Sequence, residues 1–212
     1  MKPPRRVLLA DDHPIVIEGL RRVLEPDFEM VGEVADGHAL VAAAERLRPD
    51  IIIADISMPL LNGIEAARQI RKIDRKVKIV FLTMHPDVTY ASEALSAGGS
   101  AYVLKSSAGA EILEAIREAL SGRLYVSPSI NKEVVLIQMA RAGRGNQPEL
   151  TRRQREVLHL VSEGRSSKRM AEILHVSPRT IEFHRRSIMK MLALHTTAEL
   201  VQYAIKHGIV SA

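Results

Sequence analysis

Short apolar runs alternate with helical patterns over the first 125 residues of the chain. Between the runs, apolar residues recur three and four positions apart, as in Ile112, Leu113, Ile116 and Leu120, which is the spacing of one helix face. This alternation predicts an α/β fold with a doubly wound, five-stranded parallel sheet. The five predicted strands lie at residues 6–10, 30–35, 51–54, 79–82 and 101–104.

The pattern changes after residue 125. Residues 130–140 form a moderately apolar stretch that predicts one helix, and residues 141–148 are rich in glycine, asparagine and proline, which favours a flexible tether. The remaining residues are helical in pattern and predict a small all-α domain. The predicted organisation is a first domain at 1–126, a linker with one helix at 127–148 and a second domain at 149–212.

The composition narrows the class of protein. Hydrophobic residues make up 46% and charged residues 26%, a balance typical of globular proteins. No apolar run approaches the length of a membrane-spanning helix, and the start lacks the hydrophobic region of a signal peptide. The absence of cysteine excludes disulfides, a zinc ribbon and a thiol nucleophile. We therefore expect a cytoplasmic protein with no membrane partner.

The charge is divided unevenly between the two parts of the chain. Residues 1–125 carry 16 lysines and arginines against 18 acidic residues, a net charge of −2. The rest carries 14 against 7, a net charge of +7. A basic tail on an acidic first domain indicates that only the tail meets a polyanion, although a merely solvated basic surface has the same composition.

Polar side chains follow four of the five predicted strands. Asp11 and Asp12 follow the first strand, Asp55 the third, Thr83 the fourth and Lys105 the fifth. Ligands of doubly wound sheets bind beyond the carboxyl ends of the strands, so we expect these side chains to lie together. A single aspartate after a strand is usually a turn former, but polar groups at four strand ends favour a functional site.

Three clustered carboxylates repel one another unless a cation lies among them. Mg2+ is the expected cofactor because it takes one or two carboxylates and leaves positions for phosphate oxygens. Asp55 can then act as the nucleophile toward a phosphoryl group and form an acyl phosphate. The metal and Lys105 would neutralise the charge on the transferring group, and Thr83 would donate a hydrogen bond to it.

The first domain resembles the receiver domains of two-component response regulators over residues 5–122. The resemblance implies a flavodoxin-like fold and a switch pair, Thr83 and Tyr102, in which the ring changes position on phosphorylation; an ordinary strand tyrosine is the alternative. The matching stretches are LLADDHP at 8–14, IIIADISMPLLNGIEA at 51–66, FLTMH at 81–85 and AYVLKSS at 101–107.

The same resemblance implies specific roles in the pocket. Asp55 would be the phosphoacceptor, and Asp12 and Asp55 would bind Mg2+ directly, together with the carbonyl of Ser57. Asp11 would assist the metal through a water molecule. We assign His13 no role beyond helping to start the first helix.

Capping residues mark the helix starts of the tail. Thr151 and Thr196 each open a capping box, and Ser177 is a cap followed by Pro178 at the first helical position. Only a short turn separates the helix that begins at Pro178 from the preceding one. This spacing predicts a helix-turn-helix.

The second helix of this motif has two different faces. The predicted core face contains Ile181, His184, Ile188, Met191 and Leu192. The opposite face is basic with one aromatic residue, a composition that suits the DNA major groove, although a solvated basic face remains the alternative at this point. This face contains Arg179, Phe183, Arg186 and Lys190, with Glu182 beside them.

The tail is similar to the LuxR-type helix-turn-helix of the NarL/FixJ family of response regulators. The matching stretches are LTRRQREVLHLVSEG at 150–164, AEILHVSPRTIEFHRRSIMKML at 171–192 and TAELVQYAIKHGI at 197–209. The resemblance implies that Glu182, Phe183 and Arg186 face bases. It implies that the DNA backbone is held by Lys168, Arg179, Arg185 and Lys190. The last helix, 196–207, would supply a dimer contact.

Together these features predict a DNA-binding response regulator. A sensor histidine kinase would phosphorylate Asp55, and a phosphorylated homodimer would bind double-stranded DNA with inverted half-sites. RNA polymerase is a further candidate partner. A phosphohydrolase would need its nucleophile on the first strand with a second aspartate two residues later, whereas Asp11 and Asp12 are adjacent. A phosphorylation-independent DNA binder with a vestigial receiver is the other alternative.

Overall fold

A computed structural model describes residues 3–142 and 150–206 of the chain. Its contacts divide the chain into two compact units, Met1–Gly143 and Arg144–Ala212, which we describe separately. Most of the predicted tether, from residue 143 onward, lies outside the described residues, as does His207 at the end of the predicted last helix. Within the described residues, no helix combines the length and apolar character that crossing a membrane requires.

The first unit contains a parallel sheet of six strands in the order β2-β1-β3-β4-β5-β6. The parallel α/β architecture is as predicted, but the predicted number of five strands is wrong. The sixth strand has only two residues, too few for a hydrophobic period, and it exists because it pairs with the edge of β5. The strands are β1 Arg5–Ala10, β2 Phe28–Val34, β3 Ile51–Asp55, β4 Lys78–Thr83, β5 Ala101–Leu104 and β6 Tyr125–Val126.

Helices cover both faces of this sheet. On one face α1 and α5 contact each other, and on the other α2 contacts α3. Asp36, Asn62 and Asp87 cap α2, α3 and α4 by accepting hydrogen bonds from backbone amides in the first turn. The helices are α1 Pro14–Leu24, α2 Gly37–Leu47, α3 Gly63–Ile73, α4 Val88–Ser96, α5 Ala108–Leu120 and α6 Lys132–Ala142.

The central strands are buried on both sides, which explains why they read as continuous apolar runs in the sequence. Alternate residues of four strands pack with α1 and α5 in one core; from these strands the core contains Val7, Leu9, Ile51, Ile53, Val80, Leu82, Ala101 and Val103. Because neighbouring strands of this set pair in parallel, the carboxyl ends of β1, β3, β4 and β5 lie side by side at one edge of the sheet.

The last helix of the first unit, α6, packs against α4. Val135 on α6 is 0% exposed, and the Ser92 hydroxyl on α4 donates a 3.0 Å hydrogen bond to Oε1 of Gln138. The segment before α6 is also tied to the sheet, because Ser127 Oγ accepts a 3.0 Å hydrogen bond from the amide of Leu104. The helix that we predicted within the linker is thus packed on the first unit.

The second unit is all-helical in its described part. A capping box at Thr151 and Gln154 opens α7, and Ser166 and Ser177 cap the next two helices. Between α8 and α9 the chain turns at His175, whose φ of 51° is left-handed. The helices are α7 Arg152–Ser162, α8 Ser167–Leu174, α9 Pro178–Met191 and α10 Thr197–Lys206.

Candidate functional site

The predicted carboxylates meet at the carboxyl edge of the sheet. Asp11 and Asp12 follow β1, and Asp55 ends the neighbouring strand β3, with Ala10 paired to Ala54. Asp11 is 4% exposed and Asp55 3% exposed. Ligand atoms of Asp11, Asp12, His13 and Asp55 all lie within 4.8 Å of one another. Strand pairing therefore places residues that are 44 positions apart in one cluster.

Lys105 brings a positive charge to these carboxylates. Its Nζ lies 2.7 Å from Oδ2 of Asp11 and 3.0 Å from Oδ2 of Asp55. Burial by itself lowers the pKa of Lys105, but the hydrogen bonds and negative charges of Asp11 and Asp55 outweigh this effect and raise the pKa above its ordinary value. The ammonium group therefore stays charged and bridges the two buried carboxylates.

The donor set fits a hard divalent cation. Three carboxylates face one ammonium group, so negative charge remains in excess in the cluster. Carboxylate and carbonyl oxygens are the ligands that Mg2+ prefers. The amide of Ser57 donates a 3.1 Å hydrogen bond to Oδ1 of Asp55, which places the backbone of Ser57 next to the cluster.

Thr83 and Tyr102, the predicted switch pair, are connected through His85. Thr83 Oγ1 accepts a 3.2 Å hydrogen bond from the His85 amide, and the Tyr102 hydroxyl donates a 2.7 Å bond to the His85 carbonyl. Tyr102 is buried, which raises its pKa well above the ordinary value, more than the Thr83 hydrogen bond lowers it. The tyrosine ring therefore lies inside the domain with a neutral hydroxyl.

Gly63 allows α3 to start directly against the end of β3. Its amide donates a 2.9 Å hydrogen bond to the carbonyl of Ile56. A Cβ at this position would lie 2.2 Å from the backbone carbonyl oxygen of Asp55. Any side chain here would push the end of β3 away from the pocket, so the glycine is required by close approach.

The predicted DNA-reading helix α9 has the two faces that its sequence indicates. Ile181, His184 and Ile188 are buried in the helical core, whereas Met191 and Leu192 are only partly buried. On the opposite face Phe183 is partly exposed, and Arg179, Arg186 and Lys190 are exposed. Lys168 is exposed on α8. The basic side chains predicted to hold DNA are thus exposed, except that of Arg185, which is partly buried.

Arg185 and Glu182 take part in a network within the second unit. Arg185 donates a 3.0 Å hydrogen bond to Oε1 of Glu182 and a 2.9 Å bond to Oγ1 of Thr197. The hydroxyl of Ser167 on α8 bonds to the same Oε1 of Glu182. This network connects α8, α9 and α10.

Two family models match the chain. Residues 7–117 match the response regulator receiver domain, and residues 148–204 match the bacterial regulatory proteins of the luxR family. The chain belongs to the LuxR-type response regulators. The comparison confirms the resemblance noted for both halves of the sequence, and with it the combination of a receiver and a DNA-binding domain.

Curated relatives of this response regulator span nearly its whole length. The transcriptional regulatory protein MctR of Rhizobium johnstonii is 36% identical over 99% of this chain and 97% of its own. LiaR of Bacillus subtilis is 36% identical over 97% of this chain and 99% of its own. Response regulator UvrY of Escherichia coli is 32% identical over 97% and 96%, respectively.

Solved structures of response regulators are also similar to this chain. RcsB from Salmonella enterica bound to a promoter in the presence of the phosphomimetic BeF3− has a TM-score of 0.61 and 28% identity, and covers 95% of this chain and 98% of its own. A LuxR-family response regulator from Aurantimonas has a TM-score of 0.58 and 38% identity, over 66% of this chain and 99% of its own.

Two histidines of this response regulator lie in the site, although neither was predicted to take part in it. The His13 ring lies 3.1 Å from Oδ1 of Asp11 and 3.0 Å from Oδ1 of Asp12. His85 stacks on Tyr90, with ring centroids 4.5 Å apart, and its Nε2 lies 2.9 Å from Oγ of Ser57. Only its position two residues after Thr83 could have drawn attention to His85.

Proposed function

We propose that this chain is a phosphorylation-switched transcription factor in which Asp55 accepts a phosphoryl group from a sensor histidine kinase. The observation that carries the proposal is the buried cluster of Asp11 and Asp55 bridged by Lys105 at the end of β3. A carboxylate nucleophile beside a fixed cation, at the open edge of a parallel sheet, is an arrangement that suits phosphoryl transfer to a carboxylate.

In the proposed reaction an oxygen of the Asp55 carboxylate attacks phosphorus. A P–O bond forms, the P–N bond to the kinase histidine breaks, and the leaving imidazole nitrogen keeps the electron pair. Lys105, which already contacts Asp55 Oδ2, remains within reach of the added negative charge. The hydroxyl of Thr83, buried at the end of β4, would donate a hydrogen bond to a phosphoryl oxygen.

We infer that Mg2+ is the cofactor of this pocket. Asp11, Asp12, Asp55 and the carbonyl of Ser57 would hold it, with Asp11 acting through water. When bound, the ion supplies charge neutralisation for the transferring phosphoryl group. The excess of negative charge left after pairing with Lys105 supports this inference.

The second unit is proposed to bind double-stranded DNA through α9. Phe183, Arg186 and Glu182 would face base edges, and the exposed residues Lys168, Arg179 and Lys190 would contact phosphates. Within residues 3–142 and 150–206, Arg186 and Lys168 have no hydrogen bond or ion pair that binding to DNA would break. Arg185 instead forms hydrogen bonds with Glu182 and Thr197 within the unit.

A phosphorylated homodimer on inverted half-sites is the proposed active form. One helix-turn-helix of this size contacts a single half-site, so two copies are needed to span successive major grooves. RcsB has been described as two dimers bound to two parallel DNAs, which supports pairing in this family. We place the protein in the cytosol with its DNA, where RNA polymerase is a further proposed partner.

The proposal is tested by incubating the full chain with acetyl phosphate and Mg2+. Wild type and Asp74→Asn, a carboxylate outside the pocket, should gain one phosphate by mass spectrometry, while Asp55→Asn should gain none and keep its fold. Sedimentation should show a rise in mass, and operator titration a rise in affinity of about 5- to 150-fold, for the phosphorylated proteins alone. Incorporation by Asp55→Asn would refute the phosphoacceptor. DNA binding that ignores the phosphate would indicate a vestigial receiver.

A further inference from the structure

The proposed DNA-reading face carries one carboxylate, that of Glu182. Its Oε1 accepts two hydrogen bonds, one from the Ser167 hydroxyl and one from Arg185 at 3.0 Å. Its Oε2 has no hydrogen-bond partner within the described part of the chain, and 41% of the side chain is exposed. One carboxylate oxygen is therefore held and the other remains available.

A carboxylate near DNA phosphates is unfavourable unless its charge is compensated. Arg185 provides this compensation, and its side chain is only 22% exposed because it lies between α9 and α10. Its second hydrogen bond, to Thr197 at 2.9 Å, fixes the guanidinium from the other side. The direction of the Glu182 carboxylate is thus set by three helices before any DNA binds.

We propose that Glu182 selects a cytosine at one position of the DNA half-site, and that Ser167 and Arg185 are positioning residues that aim its free oxygen. The proposal rests on the DNA binding proposed above and names the base that this site accepts. It also assigns Arg185 to the orientation of Glu182 and not to a phosphate contact.

The chemistry of the base edges leads to cytosine. A carboxylate oxygen only accepts hydrogen bonds, so it needs a base that presents a donor in the major groove. Guanine presents two acceptors, and thymine an acceptor and a methyl group, so both are disfavoured. Adenine has a donor next to the N7 acceptor, which repels the carboxylate, whereas the cytosine amino group has no neighbouring acceptor on that edge.

The test is selection from randomised duplex DNA with the full-length chain after incubation with acetyl phosphate and Mg2+. Wild type should enrich a motif with cytosine at one position. In Glu182→Gln the amide carbonyl can keep the bonds to Ser167 and Arg185, so the NH2 group replaces the free oxygen. The variant should lose the cytosine, bind the wild-type motif about tenfold more weakly and favour a base with an acceptor there.

Ser167→Ala keeps the carboxylate and removes one of its anchors, so the same cytosine should remain preferred with weaker discrimination. Glu172→Gln is the matched control, because Glu172 is an exposed carboxylate on α8 that pairs with Arg169 and should not affect the motif. Circular dichroism should show wild-type helix content in all variants.

The possible results distinguish a failure of this inference from a failure of the DNA binding on which it rests. If wild type enriches no motif, DNA reading itself is wrong. If wild type enriches a motif that Glu182→Gln retains with the same base at every position, Glu182 does not select cytosine. If Ser167→Ala matches wild type in both motif and affinity, the positioning role of Ser167 is wrong.

Discussion

The hydroxyl of Tyr102 donates a 2.7 Å hydrogen bond to the carbonyl oxygen of His85. The amide of the same histidine donates to Thr83 Oγ1, and its ring stacks on Tyr90 of α4. One residue of the loop between β4 and α4 thus contacts both members of the proposed switch pair and the helix that follows. A phosphoryl group that draws Thr83 toward Asp55 would compete with the bond that holds this loop.

Tyr102→Phe should loosen that loop without creating a large cavity in the core. The ring remains, but the carbonyl of His85 loses its donor, so we expect the free energy of unfolding to fall by about 1 kcal/mol. Hydrogen exchange of the amides between β4 and α4 should accelerate, while β1, which exchanges through global unfolding, should accelerate by no more than the loss of stability accounts for. Identical exchange in the loop would show that this hydrogen bond does not hold it.

Lys105→Met should change Mg2+ binding and phosphate incorporation in opposite directions. Removing the ammonium leaves Asp11 and Asp55 without their bridge, so the metal-free protein should lose roughly 3 kcal/mol of stability. The variant should bind Mg2+ more tightly, because a competing positive charge is gone, yet incorporate less phosphate from acetyl phosphate. Calorimetric titration and mass spectrometry measure the two effects. Lys76→Met, at an exposed lysine, is the control, and weaker Mg2+ binding in Lys105→Met would contradict the proposed metal position.

Val135→Asp should detach α6 from the first unit. Val135 is 0% exposed, whereas its neighbour Val134 is 38% exposed on the same helix. Burying a carboxylate at position 135 is unfavourable, so we expect a loss of about 2 kcal/mol in denaturant unfolding of the full chain. Val134→Asp should change stability by less than about 0.5 kcal/mol. A change below about 0.5 kcal/mol in Val135→Asp as well would mean that the packing of α6 contributes little to stability.

Gln154→Ala should destabilise the second unit through two separate contacts. Oε1 of Gln154 accepts a 2.9 Å hydrogen bond from the Thr151 amide, and Nε2 donates a 3.2 Å bond to Ser187 Oγ on α9. Loss of the cap and of the contact between helices should cost about 1 to 2 kcal/mol, visible as a lower midpoint in thermal unfolding. Arg155→Ala, at the exposed next position, serves as the comparison and should leave the midpoint nearly unchanged. An unaltered midpoint in Gln154→Ala would rule out this role.

Local sequence patterns predicted most strands of the first unit and the helix starts of the second. The central strands β1, β3, β4 and β5 are apolar runs because they are buried on both faces, so their positions could be read directly. Thr151 and Ser177 mark helix starts because a hydroxyl must satisfy amides within its own turn. Strand β6 left no such signal, since two residues have no period and only β5 determines where they pair.

The sequence alone determined the chemical groups of the pocket and their common edge, because parallel strands bring their carboxyl ends together wherever they lie in the chain. It also determined the two faces of α9, because a helix repeats every 3.6 residues. Only the tertiary structure decided which groups touch. Lys105 bridges Asp11 and Asp55, His85 joins Thr83 to Tyr102, and Arg185 turns inward to Glu182. These contacts join separate elements at hydrogen-bond distance, and no local spacing encodes the packing that sets such distances.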